Sequence, residues 1–74
     1  MQRFARITFK PDTMNGQACI RGMRITVSLV LNLLANDMSK EEILMEYPRL
    51  EKEDISECLQ YAAWLAEEKI YALA

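Results

Sequence analysis

Apolar and polar residues change period along this chain, and each change marks an element. Arg6-Ile7-Thr8-Phe9 alternates polar and apolar with β-branched members, which predicts a short strand. Lys10-Pro11-Asp12 breaks it, because proline fixes φ and lacks a ladder donor. Asn15-Gly16 is the strongest turn dipeptide, since both residues tolerate positive φ. Ala18-Cys19-Ile20-Arg21 predicts a second strand, Gly22 a further turn, and Arg24-Ile25 a brief extension. The expected result is a hairpin-like ribbon over residues 1–25. A two-stranded ribbon is marginal alone, so it should pack on helices or on a partner chain.

From Thr26 the period becomes helical. Thr26 is a fair N-cap for a helix from Val27 to about Asn36, with Leu29, Val30, Leu33 and Leu34 toward the core. Asn36-Asp37 replaces the usual C-terminal glycine. Ser39-Lys40-Glu41-Glu42 is a capping box opening a second helix that buries Ile43, Leu44 and Tyr47 and ends before Pro48. A third helix runs from near Glu51 to about Tyr71, and Glu51, Glu53 and Asp54 suit the positive end of its dipole. On that helix Ile55, Leu59, Ala62 and Ala66 form one stripe, with Cys58 and Leu65 beside it. Tyr61, Trp64 and Tyr71 cluster about 180° away at 100° per residue. One stripe meets the other helices; the second has only the ribbon, or another chain, to meet. The expected fold is mainly α: a three-helix, helix-turn-helix-like (homeodomain/winged-helix-like) bundle over 26–74 with a short N-terminal β-ribbon, as one domain of 1–74.

Size sharpens this picture. A chain of 74 residues buries only about 60% of its unfolded surface, yet 51% of its residues are hydrophobic. A second copy is the simplest way to share that surface, so a homodimer is expected. There is no apolar run of about 18 residues to span a membrane, and MQRFARITFK lacks the apolar segment of a signal peptide, so a cytoplasmic protein is expected. Two cysteines, no CxxC and no histidine leave zinc without a ligand set. Cys19 and Cys58 read as buried thiols.

Charge is divided. Residues 1–38 carry Arg3, Arg6, Lys10, Arg21 and Arg24 against Asp12 and Asp37, whereas residues 39–74 carry four basic and nine acidic side chains. The two halves present opposite fields. Catalysis is poorly supplied: no histidine base, no glycine-rich phosphate loop, and carboxylates whose place at helix starts explains them as caps. An enzyme is the least supported class, and no cofactor, metal or small-molecule substrate is expected. Ser39, Glu42, Ile43, Leu50, Ile55 and Leu59 roughly follow the helix-turn-helix pattern. The presumed recognition helix, however, opens on Glu51-Lys52-Glu53-Asp54, which repels phosphate. The ribbon is the better DNA candidate through Arg3, Arg6, Lys10, Arg21 and Arg24; the alternative is that these arginines pair with the acidic half of the same chain. Aromatic anchors make the last helix an interface candidate through Glu57, Tyr61, Trp64, Glu67, Glu68 and Tyr71; the alternative is that Trp64 packs on its own ribbon.

The run NGQACIRGMRITVSLVLNLLANDMSKEEILMEYPRLEKEDISECLQYAAWLAEE resembles the domain-of-unknown-function family numbered 433, over about residues 5–68. The similar features are Gly16 before the second strand, the IRGMRI element and a helix start after it. They continue in the S-x-E-E-I at Ser39–Ile43, the Y-P-x-L at Tyr47–Leu50 and the D-I-x-x-x-L-x-Y-A at Asp54–Ala62. The chain departs at Val27, where proline is frequent, at Asp37, where glycine is frequent, and at Met23, where a small polar residue is frequent. The resemblance implies a small prokaryotic protein of helix-turn-helix type, commonly dimeric. Many members look like VapB-type antitoxins encoded beside a toxin resembling a PIN-domain ribonuclease. The expected function is therefore an antitoxin-like protein that occludes a PIN-like ribonuclease with its last helix and holds operator DNA with its ribbon. The alternatives are a stand-alone DNA-binding regulator and a structural dimeric module with no nucleic-acid role.

Overall fold

The structure, a computed structural model, describes residues 4–73, with side chains through Glu67. Among the described residues two strands and three α-helices follow one another, with a 3-10 turn (Met14–Gly16) between the strands: β1 (Ile7–Phe9), β2 (Ala18–Ile20), α1 (Val27–Ala35), α2 (Lys40–Glu46) and α3 (Lys52–Leu73). The fold is mainly α, three helices with a short N-terminal antiparallel ribbon, as the residue pattern predicts. No helix among the described residues is long and apolar enough to cross a membrane.

β1 and β2 pair antiparallel in the register Ile7–Ile20, Thr8–Cys19 and Phe9–Ala18. The intervening loop closes through Met14 and Asn15 at φ 50° and 59°, with Gly16 at 77°. On its other edge β2 makes a single bridge, Cys19 to Thr26, so the predicted extension at Arg24-Ile25 folds back on it. Arg21 and Gly22 both have positive φ (45° and 73°), and the Met23 amide donates to the Ile20 carbonyl at 2.8 Å. Those are the marks of a type I′ turn. Gly22 adopts this backbone freely, while Arg21 does so against its side chain's preference.

The helices carry the end signals read from the residues. The Thr26 hydroxyl accepts the Leu29 amide at 3.0 Å. Ser39 and Glu42 form the reciprocal capping box, with bonds of 3.1 and 2.8 Å. α1 stops in a full Schellman motif: the Met38 amide donates to the Leu33 carbonyl and the Asp37 amide to Leu34. Asp37 occupies the left-handed position at φ 69°. This is where glycine is the relaxed choice, and aspartate is tolerated at a cost.

One core joins both layers. Ile7 and Ile20 from the ribbon meet Val27, Val30, Ile43, Leu50, Ile55 and Cys58 from the helices and their turn. Each fully buried isoleucine contributes about 1.5–3 kcal/mol, so the ribbon adds to the core rather than decorating it. Two helix faces differ from expectation. On α1 Val27, Val30, Leu31, Leu33 and Leu34 join the core cluster, so Val30, Leu33 and Leu34 face inward as expected, while Leu29 lies outside that cluster. On α3 Ile55 and Cys58 are fully buried, but Leu59 is 41% and Leu65 39% exposed. The inward face of α3 is thus centred on Cys58, and Tyr61, about 60° from it, packs against the core rather than opposite to it.

Replacing Asp37 with glycine should raise the stability of the chain by about 0.5–1 kcal/mol by relieving the left-handed backbone. Urea unfolding of D37G beside the parent checks this; a loss of stability would mean that the aspartate side chain does something the cap geometry does not require.

Candidate functional site

Two side-chain clusters lie where the ribbon meets α3. The first is charged. The ribbon register sets Arg6 beside Arg21, and the Arg21 amide donates to the Arg6 carbonyl at 2.7 Å. Two guanidiniums so placed require an anion between them. Asp54, whose side chain is fully buried, supplies it: Arg6 Nη1 donates to Oδ1 at 3.0 Å, and Arg21 Nε and Nη2 reach the carboxylate at 3.1 and 3.0 Å. Asp54 Oδ2 also accepts the Glu51 amide at 2.8 Å, so the same carboxylate caps the start of α3.

Neighbouring groups extend the network. Arg6 Nη1 also pairs with Glu51 at 2.8 Å, and the Arg6 amide donates to Glu57 Oε1 at 2.6 Å. Arg21 Nη2 donates to the Arg49 carbonyl at 2.8 Å, tying the type I′ turn to the turn between α2 and α3. The strained φ of Arg21 has its reason here, since the turn aims this guanidinium at Asp54. Burial pushes the Asp54 carboxyl up, but hydrogen bonds from Arg21, the Glu51 amide and Arg6 outweigh it and hold the group below the usual carboxylate range. The Cys58 thiol, one turn later, is pushed up to about 12 by burial and by the charges of Asp54 and Glu57.

These contacts show how the ribbon's cations are engaged within the chain. Arg6 and Arg21 are spent on Asp54 and Glu51, the internal pairing that the sequence left open as the alternative. Lys10 and Arg24 are exposed and carry no ion pair among the described residues, and Arg3 lies outside those residues. Glu57, expected at a partner interface, instead accepts the Arg6 amide.

The second cluster is aromatic. Phe4 meets Tyr61 edge-on at 5.3 Å between ring centroids and Trp64 at 5.9 Å, while Phe9 lies 6.3 Å from Tyr61 and Tyr61 6.1 Å from Trp64. The ribbon therefore covers part of the Tyr61/Trp64 stripe, in the manner of the intrachain alternative. Cover is partial: Phe9 is 59% exposed and Tyr61 and Trp64 are half-buried. Glu67 is exposed; the side chains of Glu68 and Tyr71 lie outside those described. The sequence reading missed Phe4, Phe9 and the hub role of Asp54. The last was accessible in principle, because the Ile7–Ile20 register follows from the turn and sets Arg6 against Arg21.

A ribbon docked on a three-helix bundle through a buried acid and a half-covered aromatic cluster defines a small α-rich module. The chain belongs to the family described as protein of unknown function DUF433, whose model matches residues 7–62. Among solved structures it is similar to a DUF433 member protein from Anabaena variabilis. The two are 32% identical with a TM-score of 0.78, over 85% of this chain and 62% of that one. The chain thus spans under two thirds of that neighbour's length. No curated protein matches the chain significantly.

Two outcomes follow from the charged cluster. Asp54→Ala should cost about 2–4 kcal/mol, since it empties a buried site, uncaps α3 and leaves two guanidiniums without their common anion. Because the native Asp54 value is depressed, its contribution is complete above the unfolded value of about 3.9 and is lost as pH falls through the native one. Chemical denaturation from pH 7 to 2 should show an acid limb that is shallower in D54N; an unchanged limb would contradict the assignment. Conversely, the raised Cys58 value means the native chain keeps a proton that the unfolded chain releases above about pH 8.5. Stability should decline from there toward pH 12, and a thiol reagent at pH 8 should label Cys58 only on unfolding. Rapid labelling of the folded chain would show that this thiol is not enclosed.

Proposed function

We propose that this chain is a non-catalytic binding protein of antitoxin type, which docks α3 against a basic, nucleic-acid-handling partner such as a PIN-like ribonuclease. The observation that carries the reading is the incomplete cover of α3. This helix of 22 residues extends about 33 Å, whereas α1 and α2 have nine and seven residues. Its apolar groups at Leu59, Leu65, Tyr61 and Trp64 continue past the point where the chain itself can bury them. Aromatic rings with fixed neighbours are efficient anchors, because little rotamer freedom remains to be lost on docking. A ribonuclease cleft is basic, so the exposed carboxylates around this helix are complementary to it.

Operator DNA is the weaker part of the reading. With Arg6 and Arg21 engaged, Lys10 and Arg24 are the ribbon's cations without an ion pair among the described residues. Two phosphate contacts release few counterions and give little affinity at physiological salt.

Co-expression with the product of the adjacent reading frame tests the proposal. A stable complex with suppressed RNA cleavage is expected, and Tyr61→Ala with Trp64→Ala should weaken it at least about tenfold, as for loss of interface anchors. A free partner whose activity is unaffected, or a complex indifferent to both substitutions, would overturn it.

A further inference from the structure

On the side of α3 turned away from Cys58 lies a shallow groove of about 250 Å³, lined by Phe4, Gln60, Ala63, Trp64 and Glu67. Its four helix residues follow the spacing i, i+3, i+4, i+7, so they form one row along the helix. Ala63 leaves the depression, with the rings of Trp64 and Phe4 on one side and Gln60 and Glu67 about two turns apart at its ends. Glu67 carries no ion pair among the described residues. Gln60 spends its amide on Ser56 Oγ at 3.4 Å, and its carbonyl oxygen accepts no hydrogen bond among them. Among the described residues the groove therefore offers two aromatic rings, a carboxylate and an amide carbonyl, and no cation.

We infer that this groove receives an arginine side chain from a partner protein. A guanidinium carries five donors and no acceptor, which matches rim groups that only need to accept. Its plane stacks on an aromatic face, and its charge is drawn to the ring and to Glu67 together. A lysine supplies the charge without the plane, and an acidic or nucleic-acid ligand would meet Glu67 with like charge. The inference rests on the reading of α3 as a docking helix and specifies the chemistry that helix would meet.

Trp64 is the one tryptophan in the chain, so its fluorescence reports on the groove directly. The full chain is titrated with an end-blocked glycine–serine peptide containing two arginines, and with the same peptide carrying citrulline, which keeps the shape and removes the charge. A saturable change with arginine and none with citrulline is expected. Glu67→Gln, with its fold verified by circular dichroism, should weaken the response about fivefold, as for loss of one exposed charge pair. Equal responses to both peptides, an unaltered response in E67Q, or no saturable change would overturn the assignment. The competing occupant is this chain's own Arg3, next to Phe4 in sequence. An unchanged peptide response in Arg3→Ala supports the proposal, and tighter peptide binding in that variant overturns it. A partner complex that persists in E67Q while Trp64 ignores arginine would remove the groove assignment and leave α3 docking intact; a normal peptide response with no complex would do the reverse.

Discussion

A buried carboxylate that answers two arginines is the constraint on which this structure depends. Asp54 sits at the third position of α3, where it caps the helix, and at the same point it neutralises Arg6 and Arg21 from the ribbon. A ribbon of three-residue strands has too few ladder bonds to persist alone. It is held by Ile7 and Ile20 in the core and by this shared ion cluster at its edge. The cluster also fixes the turn between α2 and α3, because Arg21 reaches the Arg49 carbonyl as well. Ribbon, turn and helix start are thus three parts of one polar junction. Ion pairs of this kind add little net energy over an apolar substitute, but removing one member strands the others. Their effect here is to set the docking angle of the ribbon.

That junction decides how the surface charge is to be read. The basic N-terminal half and acidic C-terminal half look like two binding faces when the chain is laid out flat. In the folded chain Arg6 and Arg21 of the first half pair with Glu51 and Asp54 of the second. What remains outward is different in kind: a helix longer than its cover, with half-buried rings and carboxylates beside them. The described residues leave Leu59 and Leu65 exposed and Tyr61 and Trp64 half-buried along this helix. The proposed reading as a binding module comes from this geometry of surplus; family membership adds no role.

Much of the architecture was legible because local chemistry and global packing agree. Thr26, Ser39 with Glu42, and Pro48 mark helix limits by hydrogen bonding and sterics that act over four residues. Asn15-Gly16 and Gly22 likewise mark turns. The rotation of α3 was not legible from periodicity. Leu59 and Ala66 fit an apolar stripe, but Asp54 turns inward to meet the arginines and brings Cys58 and Tyr61 with it. A hydropathy pattern counts aspartate as outward, so it places the face wrongly by about 60–70° around the helix. The aromatic cluster was half legible: Tyr61 and Trp64 were visible as a pair, while Phe4 and Phe9 come from 50 or more residues away and reach them only through the ribbon's docking angle.

The central claim is that Asp54 and Arg21 act as one unit joining ribbon to helix. A double-mutant cycle by urea denaturation measures this directly, with Asp54→Ala, Arg21→Ala and the pair in the otherwise unaltered chain. The account predicts that the double variant is far less destabilised than the two single losses combined, because either change alone already breaks the junction. Additive losses would contradict it, and would mean that the ribbon is held by Ile7 and Ile20 alone.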